Sequence, residues 1–194
     1  MSSNSVIVRR AAVGAPILML TYGLLRLVDG FDGHRGPGLA WNIGHLAFFA
    51  AMVLFGFLAV RLTRLVPRGA RRVASVAAVA TVFGAACFLW VITGDLSRSF
   101  RESAPLPEFL EAAGPMAFTL GMLTLLGLSV AARRVPFWSP LLFGLGIAAI
   151  TVRLDLLPLG ALLLMAAFAP LGRRTPDARE QVITPMRTTA RALH

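Results

Sequence analysis

The sequence predicts an all-α integral membrane protein: a bundle of six transmembrane helices with both termini in the cytoplasm. Of its 194 residues, 57% are hydrophobic and only 14% are charged, whereas a soluble domain usually carries about 25% charged residues. The mean hydropathy is +0.74. Long apolar runs and an uneven distribution of arginine along the chain support the same fold class.

Six apolar runs approach the roughly 20 residues that a helix needs to cross about 30 Å of hydrocarbon. The predicted spans are residues 11–28, 39–60, 73–92, 112–132, 135–152 and 156–171. The fifth is marginal and the sixth is short. A single helix over 135–171 would be about 55 Å long, so we expect Arg153 to Asp155 and Pro158 to break it into a hairpin. Five spans, or a re-entrant pair in this region, is the alternative.

The arginines indicate the orientation. All 19 basic residues are arginine, and with both termini inside, 14 of them lie on the inner side, while seven of the nine acids lie outside. This matches the positive-inside rule. A basic rim against anionic lipid accounts for the net charge of +10, so we expect no nucleic-acid partner. We expect a multi-pass protein of a bacterial inner membrane, with residues 172–194 as a flexible basic cytoplasmic tail.

Two local features fit this interpretation. Arg9 and Arg10 precede an apolar run as in a signal sequence, but the run lacks a small-residue cleavage pattern, so we expect a retained first span. The single cysteine, Cys87, lies within an apolar run. We expect it to be a core residue rather than a nucleophile.

Small residues mark the faces where helices pack in lipid. The third span carries Ala77, Thr81, Gly84 and Ala85 on one stripe, so we expect it in the middle of the bundle. The fourth and fifth spans carry a further set: Gly114, Gly121, Ser129, Gly144 and Gly146.

Each outward-running helix is predicted to end with one arginine and one aspartate two or three residues apart. The pairs are Arg26 and Asp29, Asp95 and Arg98, and Arg153 and Asp155. They could tie helix ends together as ion pairs, or remain solvated loop charges. Alternatively, Arg26, Arg98 and Arg153 could converge on a phosphate or carboxylate.

The first two spans carry polar residues close to this end. Tyr22 shares a helix face with Arg26 and Asp29, and Asn42 shares one with His45 and Phe49. His45 lies roughly 9 Å inside the helix end. An ionisable group within a span is a functional-site hypothesis by default. His45 could nevertheless be a core histidine bound to Tyr22 or Asn42.

The loop DGFDGHRGPG between these spans is rich in turn residues. Asp29, Asp32, His34 and His45 could supply metal ligands, but no histidine pair on one helix face fixes a site. The sequence also carries no phosphate-binding loop, Ser-His-Asp order or Cys-x-x-Cys motif. We therefore expect neither a metal nor a cofactor.

Two functions remain open. In the first, the protein binds or moves a small amphipathic or anionic molecule, or supports a membrane partner, through a polar layer at the outer helix ends. Membrane lipid and a second copy of the chain are the expected partners. The candidate ligand-binding residues are Tyr22, Arg26, Asn42, Trp90, Arg98 and Arg153.

In the second, the protein is a membrane-embedded enzyme acting on a lipid or isoprenoid. A carboxyl group shielded from water holds its proton and can act as an acid. Asp29, Asp95 or Asp155 would be that acid and His45 the base. Trp41, Phe49 and Trp90 would line the pocket.

Overall fold

The computed structural model describes residues 3–31 and 36–172, and this part of the chain is helical with no strand. Short 3₁₀ turns lie at Thr63–Leu65, Arg68–Ala70 and Leu154–Leu156. The α-helices are α1 (Ser3–Asp29), α2 (Leu39–Leu62), α3 (Arg71–Leu96), α4 (Arg98–Ser103), α5 (Glu108–Ala131), α6 (Trp138–Val152) and α7 (Leu157–Gly172).

Five helices are long and apolar enough to cross a membrane: α1, α2, α3, α5, and α7 together with the 3₁₀ turn before it (Leu154–Gly172). This is the architecture of a multi-pass helical membrane protein. The helix α6 is apolar but has only 15 residues, because it begins after Pro136 and Phe137. Six full spans are therefore not confirmed. The predicted tail at 172–194 lies outside the described residues from Arg173 onward.

The acids of the described residues all lie at one end of the bundle, whereas arginines lie at both ends, with nine at one end and four at the other. Neighbouring helices run antiparallel, as shown by Gly14 beside Leu54 and Gly44 beside Tyr22. One end, the arginine-rich end, carries Arg9, Arg10, Arg61, Arg64, Arg68, Arg71, Arg72, Arg133 and Arg134. The other, the acidic end, carries all six acids of the described residues: Asp29, Asp95, Glu102, Glu108, Glu111 and Asp155.

Around the bundle the five long helices and α6 follow the order α5, α3, α2, α1, α7, α6, and α5 packs only sparsely against α6. The α3–α5 contact is backbone to backbone. A Cβ on Gly84 would lie 2.3 Å from the carbonyl oxygen of Gly114. In the α6–α7 contact, a Cβ on Gly146 would lie 2.9 Å from the carbonyl oxygen of Gly160. Small residues thus bring both helix pairs together.

The expectation that the third span lies in the middle of the bundle is wrong. Its small residues, such as Ala77 and Thr81, are buried against α5. However, Val76 and Val79 on the opposite face are 71% and 70% exposed. A stripe of small residues needs only one helix packed closely against it and does not require helices on all sides. The helix α3 therefore lies at the periphery of the bundle, with one face exposed.

Four buried phenylalanines fill the interior. Phe55 of α2, Phe118 of α5, Phe143 of α6 and Phe168 of α7 form a closed ring of contacts with centroid separations of 5.6 to 6.4 Å. Tilted and edge-to-face ring pairs in this range attract one another. We call these four side chains the phenylalanine layer.

Two tight turns connect α5, α6 and α7. At Arg153 the backbone is extended, with φ −151° and ψ 123°, and Pro158 then lies in the first turn of α7. Between α5 and α6, Arg133 adopts a left-handed conformation with φ 54°. The Arg134 amide donates to the carbonyl of Ser129 at 2.9 Å, which closes the end of α5.

Candidate functional site

An apolar cavity of about 550 Å³ lies in the half of the bundle nearest the acidic end. This volume is within the roughly 300 to 1,000 Å³ typical of small-molecule sites. All six helices that surround it contribute side chains. Its walls include Met19, Phe48, Met52, Phe88, Ile147 and Leu157.

The mouth of the cavity follows α5 and the end of α6. Ala112, Met116 and Leu120 line it at four-residue spacing, and Met116 and Leu120 are 61% and 59% exposed. Thr151 and Leu154 border it from the other side. Because α5 and α6 pack sparsely, this opening faces sideways, toward the surface that lipid tails would cover.

Toward the arginine-rich end the cavity is closed. Phe55 and Phe118 line it directly, and they belong to the phenylalanine layer. The remaining two rings of the layer, Phe143 and Phe168, are fully buried. The cavity is therefore a blind pocket that opens at the α5–α6 seam.

Few polar groups line the cavity. The Thr119 hydroxyl donates to the Pro115 carbonyl, and the Thr151 hydroxyl donates to the Ile147 carbonyl, so both are bound within their own helices. Glu111, in the first turn of α5, is the one charged side chain among the described residues that line the cavity. The walls thus favour an apolar body, with a single carboxylate at the edge.

A second feature, the polar cluster, joins α2 to α3 and α4. The Nδ1 atom of buried His45 lies 2.8 Å from the Trp41 carbonyl, and its Nε2 lies 3.5 Å from Asp95 Oδ2. The guanidinium of Arg101 donates to Asp95 Oδ1 at 2.5 Å and to the Gly94 carbonyl at 3.2 Å. Both ring nitrogens of His45 therefore face oxygen acceptors.

Tyr22 lies between the polar cluster and the cavity. Its ring meets His45 edge-on at 5.3 Å and stacks on Phe48 at 4.7 Å. It lines the cavity on one side and a small void of about 10 Å³ on the other. A void of this size holds about one water molecule.

Arg26 and Asp29 also line this small void, together with Trp41 and His45. Arg26 Nε and Asp29 Oδ2 are buried and have no hydrogen-bond partner among the residues that the structure describes.

The other candidates from the sequence lie apart from both features. Arg98 is 92% exposed and pairs with Glu102 at 2.8 Å, whereas Asp95 pairs with Arg101. Trp90 donates to the Ala104 carbonyl at 2.9 Å and packs on α4, outside the cavity. The remaining exposed candidates are Asn42, Phe49, Arg153 and Asp155.

The structure therefore brings together six candidates and leaves out the others; the six are Tyr22, Arg26, Asp29, Trp41, His45 and Asp95. Sequence reasoning overlooked two residues, Arg101 and Glu111. No sequence pattern indicated Arg101, because its contact with Asp95 depends on how α4 folds back against the end of α3. Glu111 did give one: it precedes Pro115 and Phe118 by four and seven residues, which puts it on the inward face of α5.

Within the described residues, no three histidine, cysteine, aspartate or glutamate side chains come close enough to hold a metal ion. Asp32 and His34, two of the ligands considered from the sequence, lie outside those residues. No protein-family model matches the chain, and no curated protein or solved structure shows significant similarity to it.

Proposed function

We propose that this protein binds a small amphipathic molecule, which enters sideways from the membrane and places its apolar part in the cavity between α5 and α6. The observation that carries the proposal is the cavity itself: about 550 Å³, almost wholly apolar, and open along a helix seam. Ligand sites are commonly apolar pockets with a few polar groups that fix orientation.

The shape favours binding over passage. The phenylalanine layer closes the cavity toward the arginine-rich end, so transport would require four packed rings to separate. With the arginine-rich end in the cytoplasm, the mouth lies in the outer leaflet of a bacterial inner membrane. Membrane lipid, or a lipid-like molecule dissolved in it, is then the source of the ligand.

The geometry gives less support to an anionic ligand held by arginine. Arg98 is taken up by Glu102, and neither Arg26 nor Arg153 is among the cavity-lining residues.

The enzyme hypothesis has its own supporting observation, the contact between His45 and Asp95 together with the unpartnered Asp29 Oδ2. Asp29, His45, Asp95 and Asp155 all belong to the described residues, and none lines the cavity. Acid–base chemistry on a molecule in the cavity would need hydrogen-bond reach to one of these groups. We therefore rank it second.

The test uses two tryptophan variants of α6 in lipid nanodiscs. Thr151→Trp places an indole at the mouth, whereas Ala148→Trp places one on an exposed position of the same helix that does not line the cavity. Native mass spectrometry should show a small molecule retained by the wild type and by Ala148→Trp but absent from Thr151→Trp. Thermal unfolding of all three proteins controls for stability.

The proposal is wrong if the three proteins retain the same molecules in the same amounts while all remain folded. A molecule lost from Asp95→Asn but retained by Thr151→Trp would instead favour the enzyme hypothesis, because its binding would depend on the polar cluster and not on the cavity.

A further inference from the structure

The one charged side chain among the described residues that line the cavity is negative. Glu111 lines the cavity beside exposed Ala112 and Met116. Its carboxylate makes no hydrogen bond or ion pair with any residue the structure describes. The two arginines of α4 are both occupied elsewhere, Arg98 by Glu102 and Arg101 by Asp95.

The position of Glu111 in α5 has an ordinary explanation that must be separated from a ligand role. Glu108 and Glu111 both lie in the first turn, where a negative charge stabilises the positive end of the helix dipole. Only one of them, Glu111, also lines the cavity. The two acids therefore form a matched pair, equal in helix role and different in access to the cavity.

The cavity also has aromatic walls. Tyr22, Phe48 and Phe88 line the cavity with aromatic rings, and the faces of such rings attract cations. An anion beside Glu111 would be repelled by its carboxylate.

We infer that the cavity selects a lipophilic cation: an apolar or aromatic body with one positive charge, the body inside the cavity and the charge beside Glu111. This inference rests on the proposed function and names its class of ligand.

Tetraphenylphosphonium and tetraphenylborate test the inference directly, because they share size and shape and differ in the sign of their charge. Each is titrated against the protein in nanodiscs, with empty nanodiscs subtracted as background. We expect the wild type to bind tetraphenylphosphonium. Glu111→Gln should weaken that binding about fivefold, as expected for one partly exposed ion pair, and should not weaken binding of tetraphenylborate.

The control is Glu108→Gln, which should bind tetraphenylphosphonium as the wild type does. Arg153→Ala should leave cation binding unchanged or strengthen it, since it removes a positive charge near the α6–α7 turn. In the wild type, added salt should weaken cation binding, because an exposed charge pair is screened. This last measurement does not depend on any variant folding correctly.

The outcomes separate the two proposals. If Thr151→Trp blocks binding of both ions while Glu111→Gln and salt change nothing, the cavity is a binding site but cation selection is wrong. If neither ion binds the wild type above background, cation selection is overturned, and the mass-spectrometry experiment decides the proposed function separately. Stronger binding of tetraphenylborate that Arg153→Ala weakens would show an anion site.

Discussion

The two sides of α5 differ in how they meet their neighbours. On the α3 side, Gly84 and Gly114 bring two backbones into direct contact. On the α6 side, the helices separate and a cavity of about 550 Å³ lies between them and the rest of the bundle. The same helix is thus held firmly along one face and left free along another.

This difference shows where the bundle is least tightly packed. Glycine pairs secure α3 to α5 and α6 to α7, on either side of the seam. Packed helix pairs move as rigid units more readily than they deform. A ligand that enters between α5 and α6 therefore has to separate a single loose contact and no tight one.

The largest effect on stability is expected from Gly84→Ala, which disrupts the close contact between α3 and α5. The added methyl group would meet the Gly114 carbonyl and the Phe118 backbone at 2.3 and 2.5 Å, and neither backbone can move without shifting a whole helix. We expect the free energy of unfolding to fall by about 3 kcal/mol. Reversible unfolding in mixed detergent micelles measures it.

Gly127→Ala on α5 is the matched control, because a Cβ at Gly127 meets nothing within 4 Å. It should stabilise the protein by about 0.5 to 1 kcal/mol, since alanine favours helix more than glycine does. Equal effects of the two variants would mean that the α3–α5 contact is not tight.

A smaller effect is expected from Asp95→Asn, which weakens the polar cluster on the same firm half of the bundle. Asp95 is 28% exposed and contacts both Arg101 and His45. Loss of its charge should lower the free energy of unfolding by about 1 kcal/mol and leave ligand binding in the cavity unchanged.

Glu102→Gln provides the comparison, because the Arg98–Glu102 pair is highly exposed and should contribute at most a few tenths of a kcal/mol. Thermal unfolding of both variants in one detergent measures the difference. If Asp95→Asn abolishes binding while the protein stays fully stable, the polar cluster has a direct role in the site.

The smallest effect is expected from Ala112→Leu, which adds volume on the loose side. Ala112 is exposed at the cavity mouth, so the larger side chain has room, and the free energy of unfolding should change by less than about 0.5 kcal/mol. The same substitution at buried Ala77, whose carbonyl faces Gly121, should be strongly destabilising. A comparable loss at both positions would remove the distinction between the two sides.

The sequence predicts the tight side well. Helix packing in membranes depends on side-chain size, which is known from the residue type alone. The small residues predicted to pack are all buried in the structure: Thr81, Gly84, Gly114 and Gly121. The long apolar runs likewise predict helices, since length and hydropathy are local properties.

The polar helix ends are harder to predict, because residue spacing predicts which side chains share a face only within one continuous helix. Ser97 has extended backbone angles and begins α4. This break turns Arg98 outward and brings Arg101 back to Asp95. The sequence spacing predicted Arg98 as the partner of Asp95, whereas the structure pairs Asp95 with Arg101.

The cavity could not be predicted from the sequence, because its volume depends on how six helices tilt relative to one another. Residues that line it, such as Met116 and Leu120, have the same apolar character as residues that face lipid elsewhere. The spacing of Glu111 with Pro115 and Phe118 was the one local sign of an inward-facing charge.

The short length of α6 has a consequence for the membrane around it. Its 15 residues extend about 22 Å, against about 30 Å of hydrocarbon. Such hydrophobic mismatch is relieved by local thinning of the bilayer. Where α6 crosses the bilayer, headgroups and water come closer to the bilayer centre at the end of α6 that falls short, and Thr151 with the cavity mouth lies at one of its two ends. If the acidic end is the one that falls short, a ligand of the proposed class keeps its charged group among the headgroups while its apolar body enters the cavity.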